Sequence, residues 1–243
     1  MSYMGKSLTV ITGASSGIGA ATARAFSGSG HPLLLLARRM ERMQQLELPN
    51  AMCRAVDVTD RSAVTAAVKE AEDTYGPADV LVNNAGVMLN NPAAAQDPDE
   101  WDRMIDINIR GLLNGVHAVL PGMTERQHGT IVNVSSIAGR KSFPGSAVYS
   151  GTKHAVHAAS EAIRAEAAPS NVRVIVISPG FVDTELSSHI TDPEVRANYQ
   201  AAEAALEGGL SATTVADAIL YAYRQPHTVC IREIALAATG QTV

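Results

Sequence analysis

Cysteine is scarce in this sequence: Cys53 and Cys230 are the only two in 243 residues. Two thiols so far apart build neither a disulfide framework nor a zinc cluster. They read as small buried apolar residues in a reducing, cytoplasmic compartment. Long hydrophobic runs are missing as well. Nothing approaches the roughly 18 continuous apolar residues that suggest a membrane span. The opening MSYMGKSLTVITGAS turns glycine-rich before any secretory apolar segment develops, so no membrane association is expected. Nor does charge of one sign dominate. The 19 basic and 24 acidic residues leave a net charge of -5, which gives no reason to expect a nucleic-acid partner. No His/Cys/Asp/Glu group has zinc spacing, and metal-free chemistry is expected. With no linker and no repeat, residues 1–243 read as one domain with a full core.

What is present is an alternation of short apolar runs and helical stretches. Strands are expected at 7–12, 33–37, 52–56, 80–82, 130–134, 172–177 and 228–231. Helices are expected at 18–26, 40–48, 61–74, 99–123, 147–167 and 213–223. Seven strands separated by helices imply an α/β, doubly wound, three-layer arrangement around a parallel sheet. The least regular region, 185–209, is a candidate lid over a substrate.

Thr12–Gly19 reads TGASSGIG, after one expected strand and before the first helix. Gly13, Gly17 and Gly19 permit a tight turn and close approach to a pyrophosphate at a positive helix end. Ala37, Arg38 and Arg39 follow the second strand, where an NAD binder places a carboxylate against ribose hydroxyls. A guanidinium there suits a 2′-phosphate instead, which favours NADP(H) and leaves NAD(H) open. Asp57 ends the third strand, where it could accept from an adenine amino group or cap a helix.

Tyr149 and Lys153 stand four residues apart on one expected helix and share a face. A phenol is a poor base, with an unperturbed pKa of about 10. A neighbouring ammonium stabilises its phenolate, and the pair can then exchange a proton with a carbonyl or alcohol oxygen. Ser136, at the end of another strand, could hold the same oxygen. Ligands in doubly wound sheets bind at the carboxyl ends of strands, where 83–86, 135–139 and 178–184 all fall.

These residues resemble the short-chain dehydrogenase/reductase family, in its single-domain branch, over essentially the whole chain. TGASSGIG looks like its cofactor loop and NNAG at 83–86 like its signature after the fourth strand. Asn108 in DINIRG, Ser136 in NVSSIAG, and Tyr149 and Lys153 in YSGTK match its catalytic positions, with 13 residues from Ser136 to Tyr149. The resemblance implies a Rossmann fold with a seven-stranded parallel sheet. It implies that Tyr149 is the general acid/base and that Lys153 lowers its pKa and binds the nicotinamide ribose. Ser136 would orient the substrate, and Asn108 would hold a water that links Lys153 to solvent. It also implies a cofactor track of Gly13, Ser15, Ser16, Gly17, Ile18, Gly19, Arg38, Arg39, Asp57, Val58, Asn84, Ala85, Gly86, Pro179, Gly180, Val182 and Thr184, with Tyr149 and Lys153. Within that track Arg38 carries the NADP(H) preference and Arg39 supports it, because Ser16 stands where many NADP(H) members have a basic residue.

Some of these residues also have plain structural readings. Asn83 and Asn84 could mainly fix loop backbone, Asn108 could tie a helix to a strand, Thr184 could cap a helix, and His154 reads as packing or interface. The expected substrate contacts are Met88, Ser136, Arg140, Tyr149 and Phe181, joined in the wall by Ile137, Gly139, Val148, the 185–209 segment and His189. That mostly apolar set suits a small or medium ketone, aldehyde or secondary alcohol, and the sequence overall is similar to the broad-range carbonyl reductases and hydroxy-amino-acid dehydrogenases of the family. The alternatives are an oxidative, NAD-dependent alcohol or sugar dehydrogenase and a non-catalytic dinucleotide-binding regulator. The family's habit implies a homotetramer or homodimer, with the long helices and the apolar C-terminal segment available for contact.

Overall fold

The run LLLLA at Leu33–Ala37 shows why the core has two halves. Successive side chains of a strand point to opposite faces, and a strand covered on both faces reads as continuously apolar. Leu34 and Leu36 join one buried cluster, whereas Leu35 and Leu33 join another on the opposite face. Each fully buried leucine contributes about 1.5–3 kcal/mol relative to exposure.

A computed structural model describes residues 7–242. Met1–Lys6 and Val243 lie outside it, so the expectation drawn from the opening residues falls partly outside the described residues. In chain order the elements are β1 (Leu8–Thr12), α1 (Gly17–Gly28), β2 (Leu33–Ala37), α2 (Met40–Gln44), β3 (Ala51–Ala55), α3 (Arg61–Tyr75) and β4 (Ala78–Asn83). They continue with α4 (Pro98–Ile105), α5 (Gly111–Arg126), β5 (Gly129–Val134), α6 (Ala147–Ala167), β6 (Val172–Pro179), α7 (Pro193–Ala204), α8 (Ala212–Arg224) and β7 (Glu233–Leu236). The sheet has seven strands in the order β3-β2-β1-β4-β5-β6-β7, all parallel. Helices α3, α5 and α6 pack on one face through Val64, Val68, Val116, Met123 and Val156. On the other face, α1 and α8 pack through Phe26, Val215 and Ile219. This is the three-layer Rossmann arrangement. Its order reverses between β1 and β4, and a ligand crevice opens at such a reversal.

Several elements differ from expectation. The helix expected at 99–123 is interrupted by a π turn at Asp106–Arg110, between α4 and α5. Asn108 explains it by pairing with the backbone of Val87: its Oδ1 accepts from Val87 N–H at 2.8 Å and its Nδ2 donates to Val87 O at 3.0 Å. The last strand lies at Glu233–Leu236 rather than 228–231. The guanidinium of Arg173 takes the carbonyls of Tyr223, Gln225 and Val229, so the chain before β7 is held by that side chain rather than by the sheet. The irregular 185–209 region contains α7, which begins at Pro193 and is capped by Asp192 accepting from Glu194 N–H and Val195 N–H. That cap is a readable signal, since Asp followed by Pro opens helices. Cys53 is half-buried, while Cys230 is exposed, contrary to the reading of both as buried.

Candidate active site

The glycine loop after β1 is shaped by steric need. Gly13 has φ +66° and Gly17 φ +51°, the left-handed region that glycine enters without strain. A Cβ at Gly19 would overlap the carbonyl oxygen of Gly13, so the loop closes tightly onto the start of α1. Ser16 caps that helix without a side-chain hydrogen bond, and the first turn carries no acidic residue. The free N–H groups and the positive helix end therefore suit an anion. Asn84 ties the loop to the end of β4, donating from Nδ2 to Thr12 O at 3.1 Å and Gly13 O at 3.2 Å. In return Thr12 Oγ1 accepts from Asn84 N–H and Ala85 N–H.

A cavity of about 580 Å³ runs from this loop along the carboxyl ends of the strands. Its lining includes Gly13, Ser15, Ser16, Gly17, Ile18, Arg38, Arg39, Asp57, Val58, Asn84, Ala85 and Gly86 at one end. Ser136, Tyr149, Lys153, Pro179, Gly180, Val182 and Thr184 also line it, as do Met88 and Phe181. Gly19 lies beneath the loop, and Asn108 is buried behind the wall. Among the expected wall residues, Gly139, Val148 and Arg140 do not face the cavity. Arg140 instead points outward and forms a bidentate ion pair with Glu233, so the basic group expected against substrate is spent elsewhere.

The two arginines after β2 divide their work. Arg39 donates to Ser15 Oγ, to Ser16 Oγ at 2.9 Å and to Glu185 Oε2 at 2.8 Å, which folds it over the glycine loop. Arg38 makes no hydrogen bond or ion pair among the described residues, and its charge is felt at Asp57. Burial pushes the Asp57 carboxyl up, but hydrogen bonds from Thr59 and the Arg38 charge bring it below the usual carboxylate range. Asp60, not Asp57, caps α3 by accepting from Ala63 N–H. Thr184 takes the capping role for the short turn after it, accepting from Leu186 N–H at 3.3 Å, while its methyl packs against Gly17.

At the centre, Tyr149 and Lys153 lie on one face of α6. Lys153 Nζ donates to Val134 O at 3.0 Å and sits 5.8 Å from the Tyr149 ring centroid. Burial pushes the Tyr149 phenol up to about 12, and a hydrogen bond with Ser136 opposes that only in part. Burial also lowers the Lys153 ammonium to about 8. The protein alone thus keeps the phenol protonated at neutral pH, and a further positive charge beside it is needed to lower it. The Ser136 hydroxyl accepts from Ala138 N–H at 3.1 Å, which fixes its rotamer toward the cavity. Ser135 turns the other way and donates to Lys153 O. Asn108 gives its remaining amide hydrogen to Thr152 Oγ1 at 3.1 Å. Both its hydrogens are spent on protein, and its side chain serves as the tie between the π turn, the loop after β4 and α6. His154 is exposed and bonded to its own helix through Ser150 O.

The far end of the cavity contains residues that sequence reasoning passed over. Asn90, Phe143, Pro144 and Gln241 join the expected Met88 and Phe181 and, from the expected 185–209 segment, Leu186, His189 and Tyr199. Asn90 Oδ1 and His189 Nδ1 are buried without a hydrogen-bond partner among the described residues. The Tyr199 phenol, raised by burial, lies on α7 with its ring 4.9 Å from that of Phe181. His189 is the basic side chain at this end, and burial first, with Arg103 next, lowers its imidazole below the ordinary value. Only position in space gathers this set, because its members come from the separate segments that follow β4, β5, β6 and β7.

The family profile described as short chain dehydrogenase matches residues 7–195. The chain belongs to the short-chain dehydrogenase family. It is an oxidoreductase that passes hydride between a dinucleotide and a small organic substrate. Among relatives, an oxidoreductase of Staphylococcus saprophyticus with uncharacterized activity is 39% identical, with 97% of each chain covered. Among solved structures, the closed form of serine dehydrogenase complexed with NADP+ superposes with a TM-score of 0.90 at 32% identity, covering 97% of this chain and 96% of that one. An alcohol dehydrogenase of Thermococcus sibiricus complexed with 5-hydroxy-NADP is similar with a TM-score of 0.84 at 27% identity, covering 98% and 99%. Among the described residues of this short-chain dehydrogenase, no helix is long and apolar enough to cross a membrane, and no group of His, Cys, Asp and Glu could hold a metal ion.

Proposed function

We propose that this short-chain dehydrogenase is an NADP(H)-dependent carbonyl reductase acting on small or medium uncharged ketones and aldehydes. The observation that carries this reading is a single cavity with the glycine cradle at one end beside Arg38, which has no hydrogen-bond partner among the described residues, Tyr149, Ser136 and Lys153 at its centre, and a mostly apolar wall with His189 at the other end. The dinucleotide supplies and accepts hydride at its nicotinamide carbon. Arg38 holds the 2′-phosphate, the loop from Gly13 to Gly19 holds the pyrophosphate, and Pro179 to Thr184 flank the nicotinamide. Ser136 donates a hydrogen bond to the substrate oxygen, and Tyr149 delivers a proton to it. Lys153, with its ammonium held on Val134 O, supplies positive charge near the phenolate that remains. Asn108 positions Lys153 through the π turn and Thr152.

The segment 185–209 acts as the lid in this reading. Leu186, His189 and Tyr199 come from it, Ile190 is fully buried in the cluster that includes Met104 and Tyr149, and Thr191 Oγ1 donates to Glu100 at 2.6 Å. The similarity to a closed, NADP+-bound serine dehydrogenase supports the same picture. Serine itself carries a carboxylate, for which no lysine or arginine among the described residues lines this cavity's far end. Exposed Ile105 and Leu113 on the line of α4 and α5 support a homotetramer or homodimer through those helices.

One observation favours the oxidative NAD-dependent alternative: Arg39 is occupied by Glu185, Ser15 and Ser16. A panel of neutral ketones, aldehydes, their alcohols and hydroxy acids, followed by nicotinamide absorbance with each dinucleotide, separates the two. Fastest turnover is expected for uncharged carbonyls with NADPH. Fastest turnover of alcohols or hydroxy acids with NAD+ would reverse the assignment.

A further inference from the structure

The turn that carries Ser136 is gripped from outside the cavity. Arg140, at its exit, donates from Nε to Glu233 Oε1 at 2.7 Å and from Nη2 to Oε2 at 2.6 Å. Glu233 lies on β7, 93 residues further along the chain. Its Oε1 also accepts the hydroxyl of Ser178 at 2.7 Å. Ser178 Oγ in turn lies 3.3 Å from His157 Nε2. A hydroxyl has one hydrogen, and Ser178 gives it to Glu233, so it accepts from the imidazole and fixes Nε2–H as the protonated ring position.

His157 completes the circuit. It follows Lys153 by one helical turn and Tyr149 by two, on the same face of α6. Its ring packs on the Ser136 turn: a Cβ added at Gly139 would lie 2.6 Å from His157 Cδ2. The Ser136 backbone lies near enough to the imidazole to favour its protonated form, a smaller effect than the burial that lowers it. The carboxylate of Glu233, with a side chain only 19% exposed, therefore reaches both ends of the turn. Arg140 links it to the exit, and Ser178 with His157 links it to the entrance. None of these four residues lines the cavity.

We propose that Glu233 is a positioning residue for the reaction, holding Ser136 at the separation from Tyr149 that a shared substrate oxygen requires. This rests on the reading of Ser136 given above. A network so placed matters because active groups must be held within about 0.5 Å, and a misplacement of about 1 Å can cost about a hundredfold in rate.

The test compares Glu233→Ala, Glu233→Gln and Arg140→Ala in the full chain, on whichever carbonyl the panel identifies. Glu233→Ala should lower kcat about tenfold while the dissociation constant for the dinucleotide stays within about twofold. Glu233→Gln keeps an oxygen acceptor for Ser178 and should recover most of that loss. Arg140 is exposed, so Arg140→Ala reports on the clamp even where Glu233→Ala folds poorly. In a Ser136→Ala background, adding the Arg140 or Glu233 substitution should change kcat by less than about twofold, because coupled residues are not additive. Losses that multiply in the double variants, or full kcat in both single variants, would overturn the proposal. Full turnover of Ser136→Ala would overturn the reading of the site itself, and this role with it. An impaired Ser136→Ala beside normal Glu233→Ala and Arg140→Ala would remove the clamp alone.

Discussion

Arg39 Nη1 lies 2.8 Å from Glu185 Oε2, joining the start of α2 to the segment after β6 over the mouth of the cavity. Arg42 donates to the other oxygen of the same carboxylate. The two hydrogen bonds, with Arg42 the larger influence and Arg39 next, hold the Glu185 carboxyl at about 2. These side chains are nearly half exposed, so the pairs add little to stability. Their effect falls on what binds beside them. Glu185 neutralises arginines near the place assigned to a 2′-phosphate, and adds a negative charge of its own.

Replacing Glu185 by Gln should therefore tighten NADPH binding by about two- to fivefold, the scale of an exposed ion pair. NADH binding should hardly change. Titration of the bound dinucleotide's fluorescence measures both. Because the carboxyl is lowered, its pairing persists at all pH values well above about 2, so the difference between the variants should be the same at pH 6 and pH 9. Equal tightening of NADH would show that Glu185 acts on the shared part of the dinucleotide instead.

Arg38→Asp reverses a charge that has no hydrogen-bond partner among the described residues. Loss of a charge-assisted contact and gain of repulsion should weaken NADPH by about 10- to 100-fold, with NADH unchanged or improved. Unchanged NADPH affinity would remove Arg38 from the phosphate site.

Tyr149→Phe deletes one oxygen from a buried wall. Turnover should fall by about 10²- to 10⁴-fold, the usual range for a general acid/base, while dinucleotide affinity is kept. Steady-state rates and a binding titration on the same preparation decide it, and retained turnover would end the proton-transfer assignment.

Lys153 predicts a feature of the stability curve. Burial holds its folded-state pKa at about 8, below the ordinary 10.5. Between these values the unfolded chain binds more protons, so this group makes stability rise with pH, by at most about 1.4 kcal/mol per pH unit. Tyr149 is raised to about 12 and opposes the trend only above its unfolded value near 10. Urea unfolding of the dinucleotide-free enzyme from pH 8 to pH 10 should show a rise that Lys153→Met lacks. Parallel curves for the two proteins would contradict it.

Gly19→Ala places a methyl on the Gly13 carbonyl, where backbone rather than a flexible side chain stands in the way. A cost of about 1–3 kcal/mol is expected, together with weakened dinucleotide binding, because the loop must open to admit the methyl. Thermal unfolding and binding titration should both register it.

Local chemistry was enough to settle much of this protein from sequence. Apolar runs of strand length, the glycines of TGASSGIG and the four-residue spacing of Tyr149 and Lys153 all act within a few residues, so a linear reading reaches them. Helix α6 was expected at 147–167 and lies at Ala147–Ala167. Other features depend on partners that linear spacing does not reveal. The π turn exists because Asn108 meets Val87, and β7 begins late because buried Arg173 claims the carbonyls before it. Arg140 could be placed near the cavity from its position after Ser136, but only the folded chain brings Glu233 within 2.6 Å and turns the guanidinium outward. The same holds for Arg39, whose carboxylate partner is 146 residues away. Secondary structure and the glycine loop follow from backbone sterics and short-range periodicity. The direction in which a long charged side chain points follows from which opposite charge the fold brings nearest, and tertiary structure alone decides that.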